Sequence, residues 1–169
     1  MHCLFDYETV LKTLRRMTHE IIEKNDDLND IILIGIMKKG FPIAQIIQEN
    51  IQLYNGKTIE IVGIDISMYR DDSKKKIVEI PAFQVNDKIC ILVDDVLYTG
   101  RTVRAAMDAL INLGRPKKIQ LAVLVDRGHR EFPIRADYVG KNIPTGKNET
   151  ILVQLSGDTP GVYLEREEE

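Results

Sequence analysis

Ile89-Cys90-Ile91-Leu92-Val93-Asp94-Asp95-Val96-Leu97-Tyr98-Thr99-Gly100-Arg101-Thr102-Val103 decides how this chain is read. An apolar, largely β-branched run ends abruptly in two carboxylates. A short loop of small and hydroxyl residues follows, and then a helical pattern begins. Such a run reads as a buried strand of a parallel sheet. Ligands of open α/β sheets bind outside the carboxyl ends of the strands, which puts Asp94 and Asp95 where a ligand would lie. The loop suits a phosphate. Gly100 permits close backbone approach, Thr99 and Thr102 offer hydroxyls, and the first turn of the next helix presents unpaired N–H groups and a partial positive charge. Adjacent acids beside an anion cradle make sense if they hold hydroxyls, such as a ribose diol, or a hard divalent cation such as Mg2+. The plainer reading is a capped strand–helix junction with Asp as a turn residue.

The segment resembles the phosphoribosyl pyrophosphate (PRPP) motif of type I phosphoribosyltransferases, in which a hydrophobic run is followed by Asp-Asp and a Thr-Gly-x-Thr loop. The match is long, unlike a lone Gly-rich tripeptide. It implies an α/β fold with a mostly parallel central sheet flanked by helices, a small hood and a mobile lid loop.

Length and composition agree. The 169 residues suggest a single domain over 1–169. With 44% hydrophobic and 29% charged residues, an ordinary core can form. No apolar run is long enough to span a bilayer, and the N-terminus lacks the basic and apolar regions of a signal peptide. Cys3 and Cys90 are the only cysteines, and Cys90 reads as a small core residue. The expectation is a cytoplasmic protein with no disulfide framework and no membrane partner. A net charge of −3 gives no global sign of nucleic-acid binding, so any such role needs a local basic face.

In chain order, Val10, Leu14, Met17 and Ile21 recur at helical spacing, with Asp6 as N-cap and Asn25-Asp26-Asp27 as the break. Residues 31–36 form a second buried strand. The loop Met37-Lys38-Lys39-Gly40 and a helix through about Ile51 follow, with Pro42 in its first turn. A strand, a loop with Lys and Gly, and a helix make a second anion-binding arrangement, although the lysines could be merely solvated. A strand-like run spans 58–66. Residues 67–76 are polar and charged without periodicity, which predicts an exposed loop able to act as a lid. The helix at 102–113 ends in Gly114-Arg115-Pro116 in the usual Gly-then-Pro manner. Strands are predicted over 119–125, 136–140 and 151–155, and the acidic end at 165–169 is expected to fray. Alternating strands and helices signal a parallel sheet with crossovers.

The resemblance narrows to the PyrR family, bacterial pyrimidine-operon attenuation regulators that are also uracil phosphoribosyltransferases. It rests on residues 93–105, on Leu124-Val125-Asp126-Arg127-Gly128-His129-Arg130-Glu131, on residues 134–145, on Thr18-His19-Glu20-Ile21 and on residues 65–72. It implies that the chain joins uracil to PRPP, giving UMP and pyrophosphate, with Mg2+ as cofactor. It also implies binding of the pyr leader mRNA when UMP or UTP is high, opposed by PRPP, and assembly as a homodimer or higher homo-oligomer. By the same analogy Asp94 and Asp95 are catalytic, holding the ribose hydroxyls and helping to place Mg2+ largely through substrate and water. Arg70 reaches pyrophosphate from the lid. Lys38, Lys39 and Gly40 form the pyrophosphate loop. Val96, Leu97, Tyr98, Thr99, Gly100, Arg101 and Thr102 bind the nucleotide and its 5′-phosphate, and Arg127 borders it. No side chain is an obvious general base. The family often reads Gly-Ile-Lys-Thr-Arg-Gly where this chain has Gly35-Ile36-Met37-Lys38-Lys39-Gly40. Lysine is a point charge where arginine is a bidentate fork. The segment between Asp72 and Pro81 is also short for the family.

Arg16, His19, His129, Arg130, Arg135 and Lys141 match positions that the family uses for RNA contacts, or lie near them. Their plainer reading is scattered surface charge. The alternative function is a phosphoribosyltransferase alone, for uracil or a purine base, without RNA binding.

Overall fold

The computed structural model describes residues 1–66 and 83–168. The predicted lid, with Arg70, lies outside the described residues. Eight strands and three long helices follow in the order β1 (His2–Asp6), α1 (Tyr7–Lys24), β2 (Ile31–Ile36), α2 (Gly40–Asn55), β3 (Glu60–Ile64), β4 (Ile89–Leu97), α3 (Arg101–Leu113), β5 (Lys118–Asp126), β6 (Tyr138–Asn142), β7 (Glu149–Gln154) and β8 (Gly161–Arg166). Five strands form a sheet in the order β3-β2-β4-β5-β6, and every pairing in it is parallel. A three-stranded antiparallel sheet, β1-β8-β7, forms the hood.

Burial on both faces explains the unbroken apolar runs. Every residue of β2 is buried, as parallel strands covered on both sides require. Ile31, Leu33, Ile91 and Val93 pack with the apolar stripes of α1 and α2 and with Ile151, Val153 and Val162 of the hood. Ile32, Ile34, Cys90 and Leu92 pack against Val103, Ala106 and Leu110 of α3. Burial pushes the Cys90 thiol up to about 11, so it stays protonated and inert at neutral pH. Asp6 caps α1 as expected, its carboxylate accepting from the Thr9 amide at 2.9 Å.

Several boundaries differ from the sequence reading. Strand β4 does not stop at the acids but continues through them to Leu97. Strand β6 starts at Tyr138, two residues late, because Asp137 gives its amide to the Leu121 carbonyl and accepts the Leu121 amide on its carboxylate, both at 2.9 Å. Gly114 is extended, with φ 167°, instead of left-handed. The helix end is closed by Asn86, whose Oδ1 accepts from the Arg115 amide at 2.7 Å. Strands β1 and β8 were not foreseen. The start of the acidic end does not fray, since Glu165 and Arg166 pair with Thr150 and Glu149 in the hood.

Candidate functional site

The C-terminal rim of the parallel sheet opens into a cavity of about 970 Å3. Its floor comes from β4. Strand alternation slips by one residue across the acid pair: Val93 and Val96 both pack toward α1 and α2, and Leu92 and Leu97 both toward α3. Asp94 and Asp95 therefore line the same cavity instead of facing opposite sides of the sheet. Asp94 is 8% exposed. Each carboxylate accepts the amide of the next residue at 2.8 Å, which fixes the orientation of both.

One wall is the turn into α3. Gly100 has φ +92°, a conformation that strains any residue with a Cβ. It is also the N-cap and supplies no side-chain acceptor. The first turn of a 13-residue helix therefore lines the cavity with no side-chain cap on its amides. The Arg101 amide has only a long 3.4 Å bond to Thr99 Oγ1. The Arg101 side chain turns out to Glu131 at 2.7 Å, in an exposed pair of little energetic weight. The opposite wall is the loop between β2 and α2. A Cβ on Gly40 would lie 2.1 Å from the Val93 carbonyl oxygen. Gly40 therefore lets α2 begin directly against β4, and it packs behind the cavity instead of lining it. Lys39 lines the cavity, yet its Nζ donates to the Val153 carbonyl of the hood at 2.9 Å. Lys38 has no ion pair or hydrogen bond among the described residues, so it is the loop cation available to an anion.

The sequence-predicted nucleotide residues thus converge: Lys38, Lys39 and Asp94 through Thr102 share one cavity. Arg127 does not line it. Only 6% exposed, it lies behind Tyr98, with its guanidinium centre 4.0 Å from the ring centroid. The sequence reading missed Arg104, Asp108 and Phe132, which also line the cavity. Arg104 and Asp108 were accessible in principle, because they follow Arg101 at helical spacing. Phe132 arrives from the β5–β6 connection, and nothing local marks it.

Among the described residues no cluster of three or more His, Cys, Asp or Glu side chains could hold a metal. The two adjacent carboxylates fit a Mg2+ that keeps most of its ligands as water and phosphate, and do not fit an all-protein cage.

The six candidate RNA residues are more dispersed. His129, Arg130 and Arg135 lie on the β5–β6 connection and Lys141 on β6. Arg16 joins them across α1, donating to the Gly140 carbonyl at 2.6 Å while pairing with Glu20 at 2.6 Å. His19 leans the other way, its ring 4.6 Å from that of Tyr54 near the end of α2.

A phosphoribosyl transferase domain matches residues 4–158. The bifunctional protein PyrR of Clostridioides difficile is 53% identical over 158 residues, covering 90% of this chain and 89% of that protein. The protein of the same name from Clostridium acetobutylicum is 52% identical over 170 residues, covering 95% and 96%. The chain belongs to the PyrR family. Among solved structures, the hypoxanthine phosphoribosyltransferase of Trypanosoma cruzi superposes with a TM-score of 0.78 at 18% identity, covering 99% of this chain and 98% of that one. A hypoxanthine-guanine phosphoribosyltransferase from Bacillus anthracis gives 0.70 at 22% identity, covering 85% and 82%. These distant likenesses establish the type I phosphoribosyltransferase fold. No helix among the described residues is long and apolar enough to cross a membrane.

Proposed function

We propose that this chain joins uracil to PRPP, releasing UMP and pyrophosphate, and that it binds the pyr leader mRNA in a UMP- or UTP-dependent way to promote transcription termination in the cytoplasm. Membership of the PyrR family supports both halves, through relatives named as bifunctional. The single observation that carries the catalytic half is the cavity, where an oriented acid pair faces an amide-rich helix start and a lysine. Its size lies within the range of about 300–1,000 Å3 usual for small-ligand sites.

The chemistry follows from placement. The amides around Gly100 and the first turn of α3 take the 5′-phosphate, favoured by the helix dipole. Asp94 and Asp95 accept from the ribose hydroxyls. Lys38 meets the pyrophosphate, and the resemblance assigns Arg70 to the same group. The C1–O bond to pyrophosphate breaks as the bond from C1 to the uracil nitrogen forms, and the proton from that nitrogen leaves to solvent or to the departing pyrophosphate. The protein's part is to align the two partners, stabilise charge on the departing group and keep water out. Mg2+ bound with PRPP supplies further neutralisation of that charge. Arg16, His19, His129, Arg130, Arg135 and Lys141 make the RNA face, completed in a homodimer or larger assembly. Phosphate contacts need only such a local patch on an acidic protein.

The test pairs two assays on the full chain. UMP formation from uracil and PRPP is expected, with hypoxanthine a much poorer acceptor. Leader RNA is expected to bind more tightly with UMP than without. Robust UMP synthesis with no RNA binding would leave the enzyme alone, and preference for hypoxanthine would overturn the uracil assignment.

A further inference from the structure

Tyr98 stands between the two halves of the proposed function. Tyr98 lines the cavity and is 40% exposed. Against the ring lie the Arg127 guanidinium, 4.0 Å from the centroid, and the His129 ring, edge-on at 5.3 Å. Arg127 cannot swing away. Its Nε donates to Thr145 Oγ1 at 2.8 Å, and one terminal nitrogen donates to the Glu149 carbonyl. A buried cation that loses such partners is strongly penalised. Thr145 holds His129 as well, through the contact between its carbonyl oxygen and His129 Nε2.

The backbone repeats the connection. The carbonyls on either side of Tyr98 hold both ends of the 127–131 loop: Leu97 accepts from the Arg127 amide at 3.0 Å, and Thr99 accepts from the Glu131 amide at 2.9 Å. Between those ties stand His129 and the exposed Arg130. A shift of the cavity wall at residues 97–99 therefore moves the loop as well, because Arg127 is braced at Thr145 and offers no slack.

We propose that the Tyr98–Arg127–Thr145 stack transmits occupancy of the nucleotide cavity to His129 and Arg130, making Arg127 and Thr145 positioning residues for the RNA face. The inference rests on the reading that UMP binds in the cavity and that these two residues meet RNA. Coupling of this kind is reciprocal, so RNA tightens UMP by the factor by which UMP tightens RNA.

The chain has three histidines, so its imidazole NMR signals can be assigned by single His→Gln variants. Titration with UMP is expected to shift the His129 signal and leave that of His19 in place. His19 rests on Tyr54, which lies about 21 Å along α2 from its start beside the cavity at 1.5 Å per residue. In Thr145→Val, UMP affinity is expected to stay within twofold of wild type. The His129 shift should fall by half or more, and the UMP-dependent gain in leader-RNA affinity should fall with it. Thr145→Ser, which restores the hydroxyl, should recover both. A His129 signal unmoved at saturating UMP overturns the proposal, as does full coupling in Thr145→Val. UMP that shows no binding by calorimetry would instead refute the reading of the cavity, and the stack would then have nothing to transmit.

Discussion

The nucleotide cavity and the α1–β6 side of the molecule are built in opposite ways. Much of the cavity wall comes from one continuous stretch, Asp94 to Ala105, with a second loop laid against it. The proposed RNA face draws residues from α1, the β5–β6 connection and β6, and two of its members are already hydrogen-bonded within the protein: Arg16 to Glu20 and Gly140, His129 to Thr145. A small charged ligand needs a few donors fixed within hydrogen-bond reach, which one strand–turn–helix unit supplies. A polymer is met over a wide surface and tolerates scattered contacts. Local damage should therefore be severe in the cavity and graded on the face.

Four substitutions sharpen that contrast. Asp95→Ala should show the largest effect, a loss of about 10²–10³-fold in turnover, the scale for removing one preorganised polar group. Its melting temperature should stay near wild type; turnover within a few-fold of wild type would remove Asp95 from the mechanism. Gly40→Ala comes next. The added methyl would meet the Val93 carbonyl at 2.1 Å, so α2 must back away from β4 at an expected cost of about 1–3 kcal/mol. Urea unfolding should report the loss, and the KM for PRPP should rise as Lys38 retreats. On the RNA face, Arg130→Ala should weaken leader binding evenly and reduce the slope of log K against log salt by about 1, with uracil transfer intact. An equal fall in turnover would show the two regions to be less separate than their construction suggests. The smallest effect concerns Asp6, in neither region. Its bond from the Thr9 amide holds the carboxyl below the ordinary aspartate range. The folded value is depressed, so the stabilisation is present above the unfolded pKa and fades as pH falls through the folded one. Asp6→Asn keeps a capping oxygen and should flatten the fall of melting temperature below about pH 4, without touching either proposed activity.

Legibility in the sequence followed the same division. The parallel sheet was readable because β2, β4 and β5 are continuous apolar runs, which only two-sided burial demands. The cavity was readable because its motif is contiguous. Strand β1 was not, since its residues are half-exposed and paired only with β8, and β8 ends in charges that resemble a frayed tail. Arg127 was placed at the nucleotide because its position in the chain is right, but the direction of a side chain depends on Thr145 and Glu149, far off in sequence. Lys39 illustrates the same limit. Its spacing predicts an anion contact, and the hood carbonyl that accepts its hydrogen bond lies 114 residues away.

The pairing of β1 with β8 bears on how the protein is made. Residues 2–6 leave the ribosome long before their partners at 161–166. A strand cannot pair before its partner exists, so the segment at residues 2–6 stays unzipped until β8 emerges. The hood closes only after residues 161–166 have emerged, and its closure brings the Val153 carbonyl to the Lys39 ammonium. A nascent chain stalled before β7 would lack that tether, leaving the pyrophosphate loop unbraced until β7 has emerged and docked.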